Sequence, residues 1–154
     1  NSFLDLYFKG NCLSPSSSVI KKDIFERGNY FSEKRTFHGV EDYDFWLRLA
    51  LKNHKFSYVS DYLGNYIMHE NNMSGDVSLF SLVEEKLLLK YAAEHNLMVD
   101  YKGKLLFRFI MLYIRRFYYE KRKSNQENIL SLIKSIFNVL TEKHFFQNQL
   151  KRIG

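Results

Sequence analysis

The sequence predicts a mixed α/β region over residues 1–75 and an all-helical tail over residues 76–154. Two observations carry that expectation. Residues 55–69, KFSYVSDYLGNYIMH, are rich in the aromatic and β-branched side chains that strands favour. From about Val77 onward the apolar residues recur every three to four positions, as on a helix packed along one side. Charge divides the chain as well. Residues 1–100 hold 11 Lys/Arg against 14 Asp/Glu, a balance of −3, whereas residues 101–154 hold 12 against 3, a balance of +9.

Taken in order, LSPSSSVI (13–20) reads as a polar loop entering a short strand that ends at Val19 and Ile20. KKDIFERGN (21–29) reads as a short helix stopped by Gly28. Residues 30–39 show no period and are expected to be loop. A helix is expected from near Asp42 to about Asn53. Its polar positions Glu41, Asp44, Arg48 and Lys52 are spaced by three, four and four, which makes one solvent stripe with Asp44 and Arg48 as an i,i+4 pair. Residues 55–69 are expected to form two short strands around Ser60 and Asp61, and 70–76 a loop. In the tail, Leu79, Val83, Leu87 and Tyr91, with Leu88 and Ala92 beside them, predict a helix from Val77. Two more are predicted over about 102–123 and 126–147.

Composition narrows the functional classes. The 154 residues are 45% apolar and 26% charged, which is a globular balance. A single cysteine, Cys12, excludes an internal disulfide and a multi-cysteine metal site, and points to a reducing compartment. The first residue is Asn, and no basic stretch followed by an apolar run succeeds it. The chain therefore reads as beginning inside a longer protein. The most apolar tract, 105–119, is interrupted by Arg108, Arg115 and Arg116, so no membrane-spanning helix is expected. Phosphate-binding P-loop, GxGxxG, GxSxG, HExxH and EF-hand patterns are all missing.

Four groups of residues invite a chemical reading. Glu41, Asp42 and Asp44 crowd three carboxylates at the start of a helix. Such residues cap helices and suit the positive end of the helix dipole, which accounts for them structurally. Asp42 alone, however, falls at helical spacing from Phe45, Trp46 and Leu49. A carboxylate above an apolar face is partly desolvated and becomes a better proton acceptor. His69 ends the second strand segment on the side of Leu63 and Ile67; it reads as a structural histidine or as one ligand of a metal. The serines of LSPSSSV form either a hydroxyl-rich ligand loop or a turn with local bonds. YKGKLLFRFIMLYIRRFYYEKRK (101–123) mixes cations with aromatics, which suits a solvated amphipathic helix, an anionic membrane surface or nucleic acid. Its aromatics are expected on the apolar side, which favours membrane over nucleic acid.

In their order, NCLSPSSSVIKKDIFERGNYFSE and GVEDYDFWLRLALKNHKFSYVSDYLGNYIMHENNMS resemble the C-terminal half of the catalytic domain of bacterial family-two glycosyltransferases of GT-A fold. Members often show N-x-x-x-x-S-S, a helix, then E-D-x-D-x-W-L-R, and a Y-x-x-H-x-x-x-x-S strand end. The match covers about residues 10–75. The resemblance implies a partial GT-A fold with a small mixed sheet, the nucleotide-binding half lying upstream and residues 76–154 forming a helical extension. It implies that Asp42 is the catalytic base. Glu41 and Trp46 help place the substrates, and Ser16 and Ser17 lie on the donor side. His69 helps hold a divalent metal, Mg²⁺ or Mn²⁺. The implied reaction is inverting transfer from a nucleotide-sugar donor to a cell-surface glycan or lipid-linked acceptor. The setting would be cytoplasmic, with peripheral contact at the inner face of the cell membrane through 101–123 and no nucleic-acid partner. The alternative is a truncated, non-catalytic module that binds a membrane or a protein.

Overall fold

A computed structural model of the chain describes residues 2–65, 67, 77–123 and 126–141. The chain divides into two compact units, residues 1–75 and 76–154. Among the described residues there are helices and turns but no strand. The α/β expectation, and with it the GT-A-type mixed sheet, is therefore overturned: the described chain is all-helical. Val19 and Ile20 and residues 55–65 lie in no helix and, among the described residues, in no ladder. A strand is stable only when another strand satisfies its backbone, and local composition says nothing of whether one is at hand.

The first unit holds α1 (Ser2–Lys9), α2 (Lys22–Glu26) and α3 (Glu41–Leu51). Tight 3₁₀ turns stand at Pro15–Ser17 and Arg35–Phe37. α1 was not foreseen from the sequence. It buries Phe3, Leu6 and Tyr7 and packs on α3. The tie between them is specific: the buried Tyr43 hydroxyl donates to the Leu6 carbonyl at 2.8 Å. That carbonyl, in the last turn of α1, also accepts the Gly10 N–H at 2.9 Å, so the hydroxyl takes its second lone pair. α2 is short and ends at Gly28, whose φ of +78° is a left-handed conformation that glycine adopts without strain.

α3 is the centre of this unit. Tyr43, Phe45, Trp46, Leu47, Leu49 and Ala50 are all buried. The Phe45 ring stacks on Phe25 at 5.8 Å, tilts against Phe31 at 4.5 Å and meets the Trp46 indole edge-on at 5.0 Å. Packing of rings thus takes the place of a sheet in holding the elements together. The expected solvent stripe also needs correction. Asp44 is only 2% exposed. Its carboxylate accepts from Arg48 Nε at 2.8 Å, and Arg48 reaches on to the Tyr30 carbonyl. Lys52 donates to the side chain of buried Asn29. Asp44 and Arg48 of the polar row are thus turned toward the segment at 29–30, and Lys52, although exposed, is tied to it as well.

The second unit holds α4 (Val77–Glu94), α5 (Leu97–Asp100), α6 (Lys102–Arg122) and α7 (Gln126–Leu140). α6 packs against α4, α5 and α7. Leu87, Leu88, Tyr91 and Ala92 of α4 and Leu105, Phe109, Leu112 and Tyr113 of α6 fill the interior, joined by Leu132 and Val139 of α7. Charged groups are buried among them. Glu84 receives bonds from Arg108 and Arg115, and Glu85 from Arg116 at 3.0 Å and from the Tyr113 hydroxyl at 2.6 Å. Glu120 is buried and bonded by Asn128 at 3.1 Å, which links α6 to α7. No described helix is long and apolar enough to cross a membrane.

Candidate functional site

Asp42 stands in the first turn of α3, half-buried. Both of its oxygens are held. Oδ1 accepts from the backbone N–H of Tyr43 at 2.7 Å, and Oδ2 accepts from the Asn11 side-chain amide at 3.0 Å. Asn11 is itself oriented, because its Oδ1 accepts from the Leu13 N–H at 3.1 Å in a local turn. One helical turn along α3, Trp46 Nε1 donates to the Leu13 carbonyl at 3.1 Å. Residues 11–13 therefore form a strap bonded to α3 at two points four residues apart, and Asp42 sits where it begins. The strap has a physical cause in the sequence: a short amide side chain turns the backbone after Gly10, and an indole N–H buried on α3 requires an acceptor.

Glu41 is also half-buried, and its carboxylate accepts from the Gly39 N–H. Val40, the residue that opens α3, makes no side-chain cap, so Glu41 satisfies a nearby backbone donor in its stead. Asp42 also accepts a first-turn N–H, that of Tyr43; what sets it apart from Glu41 and Asp44 is its second bond, to the Asn11 amide of a distant segment. Trp46 is 3% exposed and belongs to the core as well as to the strap.

Ser16 and Ser17 follow the strap in the exposed Pro15–Ser17 turn. Their hydroxyls are engaged locally: Ser16 with the Ser14 hydroxyl at 2.9 Å, and Ser17 donating to the Ser14 carbonyl at 3.1 Å. Ser18 donates to the same carbonyl at 2.7 Å. Of the two readings of this serine run, the locally bonded turn is the one that these bonds match. His69 lies outside the described residues. Among the described residues no group of three His, Cys, Asp or Glu side chains gathers in a way that could hold a metal ion.

The structure thus brings Asp42 and Trp46 together through one strap and leaves Glu41 beside them with a capping task. Sequence reasoning missed Asn11. Its bond to Asp42 spans 31 residues, and the only local signal was a short amide following a glycine. No protein-family model, curated protein or solved structure matches the chain.

Proposed function

We propose that the first unit supplies the acceptor side of an inverting sugar transferase. Asp42 takes the proton from the attacking hydroxyl of a glycan or lipid-linked acceptor. The acceptor oxygen bonds to the anomeric carbon as the bond to the donor's diphosphate breaks, and the diphosphate leaves with the electron pair. The observation that carries this reading is the Asp42 carboxylate itself: half-buried, aimed by two hydrogen bonds, and set in the E-D-Y-D-F-W-L-R string. A base held on two sides keeps its lone pairs in a fixed direction, which is what proton abstraction needs. In this reading Glu41 stands beside the base, and Trp46 fixes the strap that carries Asn11.

A divalent ion, Mg²⁺ or Mn²⁺, belongs to this reading as the group that offsets charge on the departing diphosphate, with His69 the expected contributor from this chain. Among the described residues no group of His, Cys, Asp or Glu side chains offers a ligand set for it. The lone Cys12 supports a cytoplasmic setting. Replacing Asp42 by Asn in the protein as its gene encodes it is expected to lower transfer by about a hundredfold or more, with nucleotide-sugar binding unchanged. More than a tenth of the turnover surviving would remove Asp42 from the role of base.

A second reading, a non-catalytic interaction module, is favoured by the all-helical character of the described residues, which show no sheet on which a nucleotide-sugar could be laid. It predicts no transfer by the unaltered protein and no effect of Asp42→Asn on partner binding.

A further inference from the structure

The basic and apolar side chains of α6 are arranged on its outer side in a way that composition alone did not show. At 3.6 residues per turn, Lys104, Phe107, Met111, Arg115, Tyr118 and Arg122 fall within about 80° of the helix circumference, along roughly 27 Å of its length. All six are exposed, Phe107 at 64% and Tyr118 at 62%. The other side of α6 carries Leu105, Phe109, Leu112 and Tyr113 into the interior. The aromatics of this helix are therefore split. Some are core, and others stand out among cations, contrary to the expectation that all lie on the apolar side.

Charge decides what such a face can meet. The one carboxylate in α6 is Glu120, which is buried and bonded by Asn128. Arg115 on this face is already paired with Glu84 of α4, so the charge the face offers comes from Lys104 and Arg122, in a region whose sequence carries +9. Its complement is a polyanion that also accepts apolar side chains. Aromatics between cations also fit single-stranded nucleic acid, where rings stack on bases. Aliphatic groups do not, and this unit exposes many. Met111 stands at the middle of the α6 face, and Leu130, Ile133 and Leu140 lie exposed at helical spacing on α7. Aliphatic side chains beside cations are suited to the boundary between lipid headgroups and acyl chains.

We propose that the outer face of α6 docks on an anionic lipid bilayer, with Lys104 and Arg122 against the headgroups and Phe107, Met111 and Tyr118 entering the interface. The proposal concerns the second unit and does not depend on sugar transfer by the first. Flotation of the full chain with phosphatidylcholine vesicles, with or without phosphatidylserine, tests it. The chain is expected to float with the anionic vesicles in low salt, to be released by high salt, and to stay behind with the neutral ones. Each cation near an anionic surface contributes about fivefold to partition, so Lys104→Gln with Arg122→Gln is expected to weaken binding about 25-fold. Phe107→Ser with Tyr118→Ser is expected to weaken it too, leaving the residue of binding wholly salt-sensitive. Both pairs are exposed, and an unchanged far-UV circular dichroism spectrum establishes that each variant is folded. Failure to float with anionic vesicles in low salt overturns the proposal, as does equal flotation with neutral vesicles or indifference to both variants. Retention on single-stranded RNA at a salt concentration that releases the chain from anionic vesicles reassigns the face to nucleic acid.

Discussion

Replacing Arg116 by Met tests how the second unit is held together. Arg116 and Glu85 are a nearly buried pair, with side chains 14% and 11% exposed. Glu85 divides its oxygens between the Arg116 guanidinium and the Tyr113 hydroxyl, and the guanidinium also lies 5.9 Å from the Tyr113 ring centre. Taking the cation away leaves the carboxylate to the hydroxyl, with little water to solvate it. Breaking a buried pair on one side costs ~3–5 kcal/mol, and the residual exposure of both groups argues for the lower end, ~3 kcal/mol. That is a large share of a domain's ~5–15 kcal/mol. Adding Glu85→Gln removes the stranded charge while keeping an acceptor for Tyr113. The double variant is therefore expected to return to within about 1 kcal/mol of the native chain. Urea unfolding followed by far-UV circular dichroism measures both. The only tryptophan, Trp46, belongs to the first unit, so its emission reports that unit separately and should keep its midpoint. A cost below about 1 kcal/mol for Arg116→Met, or a double variant worse than the single, refutes the reasoning.

Three further changes probe the first unit. Tyr43→Phe removes one of the two donors to the Leu6 carbonyl, which keeps the Gly10 N–H, and is expected to cost about 0.5–1.5 kcal/mol, read as a lower urea midpoint of Trp46 emission. Gly28→Ala adds a methyl group that meets nothing within 4 Å, so its expected cost of about 1–2 kcal/mol is the left-handed backbone alone; an unchanged midpoint would show that the turn relaxes. Asn11→Leu frees the Asp42 carboxylate on one side. Under the sugar-transfer reading it is expected to lower kcat by up to about a hundredfold with KM for the donor unchanged, and an equal rise in KM would make Asn11 a binding residue instead.

Helices were legible in the sequence because their signals are local. The run at 42–53, the short helix stopped by Gly28, and the periodic tail all lie close to α3, α2, α4 and α6. The sheet was misread because aromatic and β-branched content at 55–65 describes a strand's side chains and not its neighbours. The polar row of α3 was assigned to water because spacing cannot tell solvent from a loop with matching polar groups: Asn29 and the Tyr30 carbonyl stand there instead. The same limit hid the buried Glu84 and Glu85, whose arginines come from another helix. At the site, Asp42 could be singled out by helical phase, whereas Asn11 could not, since what gives it meaning is a contact 31 residues away.

The irregular stretch at 55–65 has a practical consequence for anyone handling the chain. Its backbone joins no helix or ladder, and Tyr58, Val59, Tyr62 and Leu63 project from it fully or largely uncovered. Such a segment, outside any regular element and with those side chains exposed, is a ready substrate for proteases that cut after aromatic and leucine residues. Nicking after Tyr58, Tyr62 or Leu63 would leave α1 to α3 on one piece and α4 to α7 on the other. The stretch is thus the seam along which the chain would be trimmed in a lysate, and the first place to protect in preparing it.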